Sequence, residues 1–260
     1  MLTADASAIP LSGGHSALGA WVRSILRRPP TMVLGSSLLV AMVLAAIFAP
    51  FLFTFDPREL NPIVRLRAPA AEHWFGTDMF GRDVYSRTVY GARVSLLVGF
   101  SVSLLSTALG LVIGLVSGYH RTMDAIIMRI MDGLMSIPAI LLAIAMMALM
   151  SASVQNVIIA ITIPEIPRVV RLVRALVLTL REQPFVEAAA ALGAGFLRTM
   201  FRHIMPNTLA PLIVQGTYIM ASAVIIEAYL SFLGAGTPPD VPSWGNIMAE
   251  GRTYVQIGFW

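Results

Sequence analysis

Pro184-Phe185-Val186-Glu187-Ala188-Ala189-Ala190-Ala191-Leu192-Gly193, closed further on by His203-Ile204-Met205-Pro206-Asn207, lies between two long apolar runs, residues 157–180 and 208–233. A proline in the first turn of a helix forfeits nothing, because its missing N–H would be unpaired there. Glu187 follows in the N-terminal region, where the helix dipole favours a carboxylate. The alanines at 188–191 add high helix propensity and a narrow surface. Gly193 and Gly195 then break the helix and permit a sharp bend. Phe196, Leu197, Met200 and Phe201 follow as an apolar stripe. Residues 182–207 thus read as a short helix, a glycine break and a second short helix, set outside the membrane between two spans. Such a stripe either docks in a groove on a partner or rests on the lipid surface, with Arg198 and Arg202 among the headgroups.

Composition makes lipid the solvent. Of 260 residues 57% are hydrophobic and 12% charged, against about 25% charged in a soluble domain. Backbone groups in lipid must pair internally, and the runs lack the ten-residue alternation of a barrel, so the fold is an all-helical polytopic bundle. The net charge is +4 and every basic residue is arginine. The arginines are spread along the loops, which signals topology rather than nucleic-acid binding. The chain has no cysteine, which excludes disulfides, thiolate metal sites and cysteine nucleophiles. It has no lysine either, so it lacks the phosphate-binding lysine of a Walker A loop. Any ATP used must be hydrolysed on another chain. The histidines at 15, 73, 120 and 203 show no ligand spacing, and no metal site is read.

Residues 1–20 read as a disordered tail. Arg23, Arg27 and Arg28 precede the first apolar run, 29–55, which is an uncleaved signal anchor with the N-terminus in the cytoplasm. Residues 56–93 form an external loop, completing an N-terminal segment 21–93. Its six arginines against five acids run counter to the positive-inside rule. Residues 94–260 form the core. The second span is 94–119, where Gly110, Gly114 and Gly118 make two overlapping G-x-x-x-G steps for close packing on another span or on a partner. A third span, 125–150, carries Arg129 and Asp132 in its first turns and is kinked by Pro138. The fourth, 157–180, is interrupted by Pro164 and Pro167, with Arg168, Arg171 and Arg174 lining its inner end. The fifth is 208–233. Five spans are visible, and the chain turns apolar again at 253–260.

A charge at the bilayer centre costs about 2.5–3.5 kcal/mol. Asp132 and Glu227 are therefore candidates for lining a solute path. Asp132 is read as pairing with Arg129 or an inner-loop arginine, and Glu227, in the outer third of the fifth span, is the better functional candidate. Arg82, Asp83 and Arg87 either contact an external partner or cap and solvate a surface helix. An intramembrane hydrolase would need a G-x-S-x-G, an H-E-x-x-H or paired aspartates. An ion-coupled transporter would favour inverted repeats. None of these is visible.

Glu187, Ala188, Ala189, Gly193 and Pro206 match the cytoplasmic EAA loop of ABC-importer permeases, with His203 where that pattern has isoleucine and Met205 where it has leucine. His73-Trp74-Phe75-Gly76-Thr77-Asp78, Gly81-Arg82-Asp83-Val84, Tyr90-Gly91-Ala92-Arg93 and Pro242-Ser243-Trp244-Gly245 resemble the dipeptide/oligopeptide/nickel subfamily, "C" type subunit. The resemblance covers residues 23–260. It implies a type I (MetI-like) permease fold in a bacterial inner membrane. It also implies ATPase coupling through Glu187, Ala188, Ala189, Gly193, Phe196, Met200 and Pro206. The implied partners are a "B" type permease, two ATPase subunits that carry ATP and magnesium, and an external solute-binding protein; no cofactor resides on this chain. The implied cargo is a di- or oligopeptide, with nickel, glutathione or another small solute as the alternative. A sixth span is expected of the family, and the chain is read as stopping where it should begin.

Overall fold

The computed structural model describes residues 29–52, 54–258 and 260. The tail 1–20 and the arginines at 23, 27 and 28 lie outside the described residues. The chain divides into two compact units, Met1–Leu44 and Ala45–Trp260. The first ends within helix α1, Pro30–Ile47, which is long and apolar enough to cross a membrane.

The second unit is helical throughout its core. Its helices are α2 (Val84–Tyr119), α3 (Arg121–Met135), α4 (Ala139–Leu149), α5 (Val154–Arg181), α6 (Pro184–Ala191), α7 (Phe196–Thr199), α8 (Met205–Phe232) and α9 (Trp244–Tyr254). Helix α2 begins ten residues before the apolar run does. The cause is Asp83, whose Oδ2 accepts from the Ser86 N–H at 2.7 Å and satisfies an otherwise orphan donor of the first turn.

The three glycines of α2 decide how the bundle is put together. A Cβ at Gly110 would lie 2.5 Å from Val169 Cβ, one at Gly114 2.6 Å from Val173 Cβ, and one at Gly118 2.6 Å from Val177 Cβ. Hydrogen alone fits at these positions, and the backbones of α2 and α5 come into near contact. Of the two packings open to this face, another span of the same chain is the one observed. The paired positions advance together along both helices, so α2 and α5 run parallel. Helix α8 runs the other way: Ser95 of α2 meets Glu227, while Ser103 Oγ donates to the Gly216 carbonyl at 2.7 Å. Val98, Val102, Val157, Ile161, Val169, Val173, Ile219 and Ala223 are buried where the three helices meet.

Parallel neighbours need a return crossing, and α3 with α4 supplies it. The expected third span is a broken one: its halves meet at 84°. Pro138 begins the second half with an extended backbone (ψ 131°), because proline cannot continue the hydrogen-bond ladder and pushes its predecessor out of the helical region. At 1.5 Å per residue α4 spans about 16 Å, short of the ~30 Å core, so neither half crosses alone. The expected interruption at Pro164 and Pro167 does not occur. Helix α5 runs unbroken through both prolines, with Pro167, Val169 and Val170 buried; neighbouring helices hold a proline-containing span together. Three described helices are long and apolar enough to cross a membrane, or four if the bent pair is one crossing.

Gly114→Ala should destabilise the protein by about 1–3 kcal/mol through overpacking. Gly133→Ala, where an added Cβ meets nothing within 4 Å, should be neutral or slightly stabilising. Thermal unfolding of the two variants in detergent makes the comparison.

Candidate functional site

Residues 184–204 lie at the end of the bundle where α2 finishes. Helix α6 opens with Pro184 and Glu187 in its first turn, as the sequence suggests. It closes in a Schellman turn: Ala194 N–H donates to the Ala189 carbonyl at 3.0 Å and Gly193 N–H to the Ala190 carbonyl at 2.9 Å, with Gly193 at φ +82°. That left-handed backbone suits glycine, and it reverses the chain within two residues.

The apolar stripe splits across this reversal. Met200 is buried, and Phe196 packs on Tyr119 and His120 with ring centroids 4.6 and 5.0 Å apart. These two side chains anchor the element to the bundle rather than facing outward with their neighbours. Leu197 and Phe201, with Phe185 and Leu192, remain exposed, as do Glu187 and Ala188. Between α6 and the bundle runs a groove of about 380 Å³ lined by Tyr119, Arg181, Glu182, Val186, Glu187 and Ala190.

The second half is not a separate short helix. Helix α7 passes through one wide turn of π-helix, Met200–Ile204, directly into α8, giving a helical run Phe196–Phe232 of 37 residues. Pro206 sits just past the wide turn, where its ring and missing N–H would strain a regular ladder. Asn207 Nδ2 donates to the His203 carbonyl at 2.7 Å in the same turn.

Two acids were expected near a solute path. Asp132 is exposed on α3 and pairs with Arg171 at 2.6 Å, an arginine of α5 rather than Arg129 or the loop. Glu227 is fully buried. Its Oε2 accepts from Ser95 Oγ at 3.2 Å and its Oε1 from Ser231 Oγ at 2.9 Å. Ser231 continues to Thr237, Thr237 to Ser243, and Asn246 Nδ2 bonds the carbonyls of Pro238 and Val241. Glu227 is thus the root of a hydrogen-bond chain that ties residues 234–243 and α9 to the bundle.

At the opposite end from α6 the sequence left Arg82, Asp83 and Arg87 open between contact with an external partner and the capping and solvation of a surface helix, and the structure buries all three. Arg82 and Arg87 are nearly inaccessible. Arg82 Nε bonds Asp78 Oδ2 at 2.6 Å, Arg82 Nη2 bonds Glu250 Oε2 at 2.5 Å, and Arg87 Nη2 bonds Glu250 Oε1 at 3.1 Å. His73 Nδ1 lies 2.9 Å from Asp83 Oδ1. The network joins residues 73–87 to α9 across more than 160 positions of sequence. Capping by Asp83 is as read; solvation of Arg82 and Arg87 is not. Burial pushes the Glu250 carboxyl above the ordinary glutamate range, and Arg87 and Arg82 pull against it. A proton held more tightly by the folded state favours folding below the ordinary glutamate range, and that contribution is lost as pH rises through the raised value.

A polytopic helical bundle with a short helix–turn–helix element at one end is the architecture of a transport permease. The chain belongs to the family of binding-protein-dependent transport system inner membrane components, whose pattern matches residues 107–259. Residues 19–69 match the N-terminal TM domain of oligopeptide transport permease C. The chain is 47% identical over 257 residues to a probable peptide ABC transporter permease protein of Sinorhizobium fredii, covering 99% of this chain and 86% of the relative. It is 41% identical over 263 residues to a dipeptide transport system permease protein of Alkalihalophilus pseudofirmus, covering 100% and 86%. It is 40% identical over 233 residues to a di/tripeptide transport system permease protein of Pseudomonas aeruginosa, covering 87% and 77%. It is a membrane-embedded permease of an ABC importer.

Glu250→Ala leaves Arg82 and Arg87 with Asp78 alone. The expected loss is about 2 kcal/mol, below the ~3–5 of a buried pair with no second partner. Thermal unfolding across a pH series should show the lower stability and a flatter pH dependence above the ordinary glutamate range.

Proposed function

We propose that this chain is one of two permeases of an importer that carries di- or oligopeptides, driven by two ATPase subunits, one seated on residues 184–204 and the other on the corresponding element of the second permease, and loaded by an external solute-binding protein. The observation that carries the reading is the construction of that element. Phe196 and Met200 fix it to the bundle, Phe185, Leu192, Leu197 and Phe201 stand exposed on it, and Glu187 borders the groove between α6 and the bundle. Exposed apolar side chains on a short helix pair at the end of a membrane bundle fit a groove on a soluble partner. The named cargo of the relatives is peptide, dipeptide or di/tripeptide, and peptide is accordingly the cargo assigned here. The N-terminus and residues 184–204 are assigned to the cytoplasm. The chain performs no covalent chemistry; ATP and magnesium belong to the partner ATPases, consistent with a sequence that has no lysine.

ATPase closure would rock the bundle between inward- and outward-facing states. Glu187→Ala should reduce the ATPase recovered with the affinity-purified permease about tenfold, the effect of ~1.4 kcal/mol. The isolated chain should hydrolyse no ATP, and uptake into vesicles should require it. Hydrolysis by the isolated chain, or undiminished ATPase recovery with the variant, would overturn the reading.

A further inference from the structure

Helix α5 is 28 residues long and packs on α2, α4 and α8, yet it is not among the helices apolar enough to face lipid. The reason is its outward stripe. The exposed positions of the inner half are Arg168, Arg171, Ala175 and Thr179, which recur at helical spacing. The side chains of Arg168 and Arg171 are 44% and 45% exposed.

The glycine seam gives these residues a depth. Val169 stands level with Gly110, so Arg168 is level with Leu109 and Arg171 with Val112. Gly110 lies nine residues from the end of α2 at Tyr119, about 14 Å at 1.5 Å per residue and close to the middle of a ~30 Å core. At that depth Leu109 and Val112 are also exposed, together with Phe100, Leu104 and Leu105 on the same helix. Two stripes at one depth thus have opposite chemistry. The leucine and phenylalanine stripe suits lipid. A half-exposed arginine in mid-membrane faces water or a polar interior.

Arg168 is held in a defined pose. Its Nη1 donates to Glu165 Oε2 at 3.0 Å, and its guanidinium lies 5.5 Å from the centre of the Tyr218 ring. Glu165 is buried, so the arginine reaches back to a carboxylate anchored in the bundle. The Nε and Nη2 donors have no hydrogen-bond partner among the described residues. One to two turns further out, Ser106 Oγ and Gln215 Nε2 are buried without a hydrogen-bond partner among the described residues.

We infer that the Arg168–Arg171–Ala175–Thr179 face of α5 lines the aqueous solute path, and that Arg168 offers its free guanidinium donors to the carboxylate of a passing peptide. Glu165 and Tyr218 are positioning residues: they hold the guanidinium and do not themselves meet the solute. The planar fork of arginine matches a carboxylate in two parallel hydrogen bonds. Asp132, paired with Arg171, belongs to this face, whereas Glu227 does not. The inference rests on the importer reading for the identity of the solute, but not for the wetness of the face.

A chain without cysteine offers a clean background. Single cysteines are placed at the depth-matched pairs 168/109 and 171/112, and at Ala175, where the change is nearly isosteric. The complex, in permeabilised membranes, is treated with a charged thiosulfonate. Cysteines at 168, 171 and 175 should react about tenfold or more faster than those at 109 and 112, since thiolate reactions follow access to water. Equal, slow labelling of both stripes overturns the path assignment. In vesicles, Arg168→Gln should lower uptake of dialanine about tenfold, the loss of one charge-assisted contact, and change uptake of dialanine amide less than about twofold. Equal loss for both solutes overturns the carboxylate assignment. Absence of ATP-driven uptake by the unmodified complex counts against the importer reading alone, because the labelling contrast is read without transport.

Discussion

The near-contact of two backbones along Gly110, Gly114 and Gly118 governs the remainder of the structure. Helix association in lipid draws little from the hydrophobic effect, because the surrounding chains are as apolar as the side chains. Close approach and dispersion must serve instead, and valine methyls against bare glycine supply both. The seam fixes α2 and α5 as parallel neighbours. Parallelism then demands a return across the membrane, and the broken pair α3–α4 makes it. Once α5 is placed, α8 packs antiparallel in the remaining angle, and its inner extension carries residues 196–204 to the end where α2 stops.

Charge is distributed by depth and by face. At the end bearing α9, Arg82, Arg87, Asp78 and Glu250 form a buried knot in which Arg82 bonds both acids and Arg87 bonds Glu250, while Arg87 Nη1 lies 3.7 Å from Asp78 without a hydrogen bond. Toward the other end Arg174 pairs with Asp124, and deeper in the bundle Arg171 pairs with Asp132; both tie α5 to α3 and so brace the short, bent crossing. Glu227 is different again: among the described residues it has no basic partner, and it accepts from two serines instead. The three arrangements do different work. The first holds a cap, the second holds a bend, and the third holds a loop.

Much of this was legible in the sequence. The apolar runs located the helices, the glycine spacing marked a packing face, and Pro184, Glu187 and Gly193 set the limits of α6. What escaped has a common cause: it depends on partners far away in the chain. Nothing local says that Arg82 and Arg87 will find Glu250, so a run of mixed charge read only as a partner contact or a solvated helix. Pro138 and the pair Pro164 and Pro167 are alike in sequence, yet one breaks a helix and the others do not, because only α5 is clamped along its length by α2. Glu165 lay inside an apolar run beside arginines that were assigned to the inner end of the span. Its role emerges only when the seam register sets its depth. Phe196 and Met200 shared a stripe with Leu197 and Phe201, and periodicity alone could not say which side of the stripe turned inward.

The unbroken passage from α7 into α8 carries a mechanical consequence. A helical run of 37 residues is about 55 Å long at 1.5 Å per residue. If its inner end is gripped and tilted by about 10°, a rigid rod of that length sweeps its far tip through roughly 10 Å. That far tip bears Glu227 and, through it, the hydrogen bonds that moor α9. The wide turn at Met200–Ile204 and the in-helix Pro211 are the softer points of the rod; both sit near the gripped end, so the packing around them must hold them stiff for the tilt to reach the far tip. Small excursions at one surface of the membrane are thereby geared into large ones at the other.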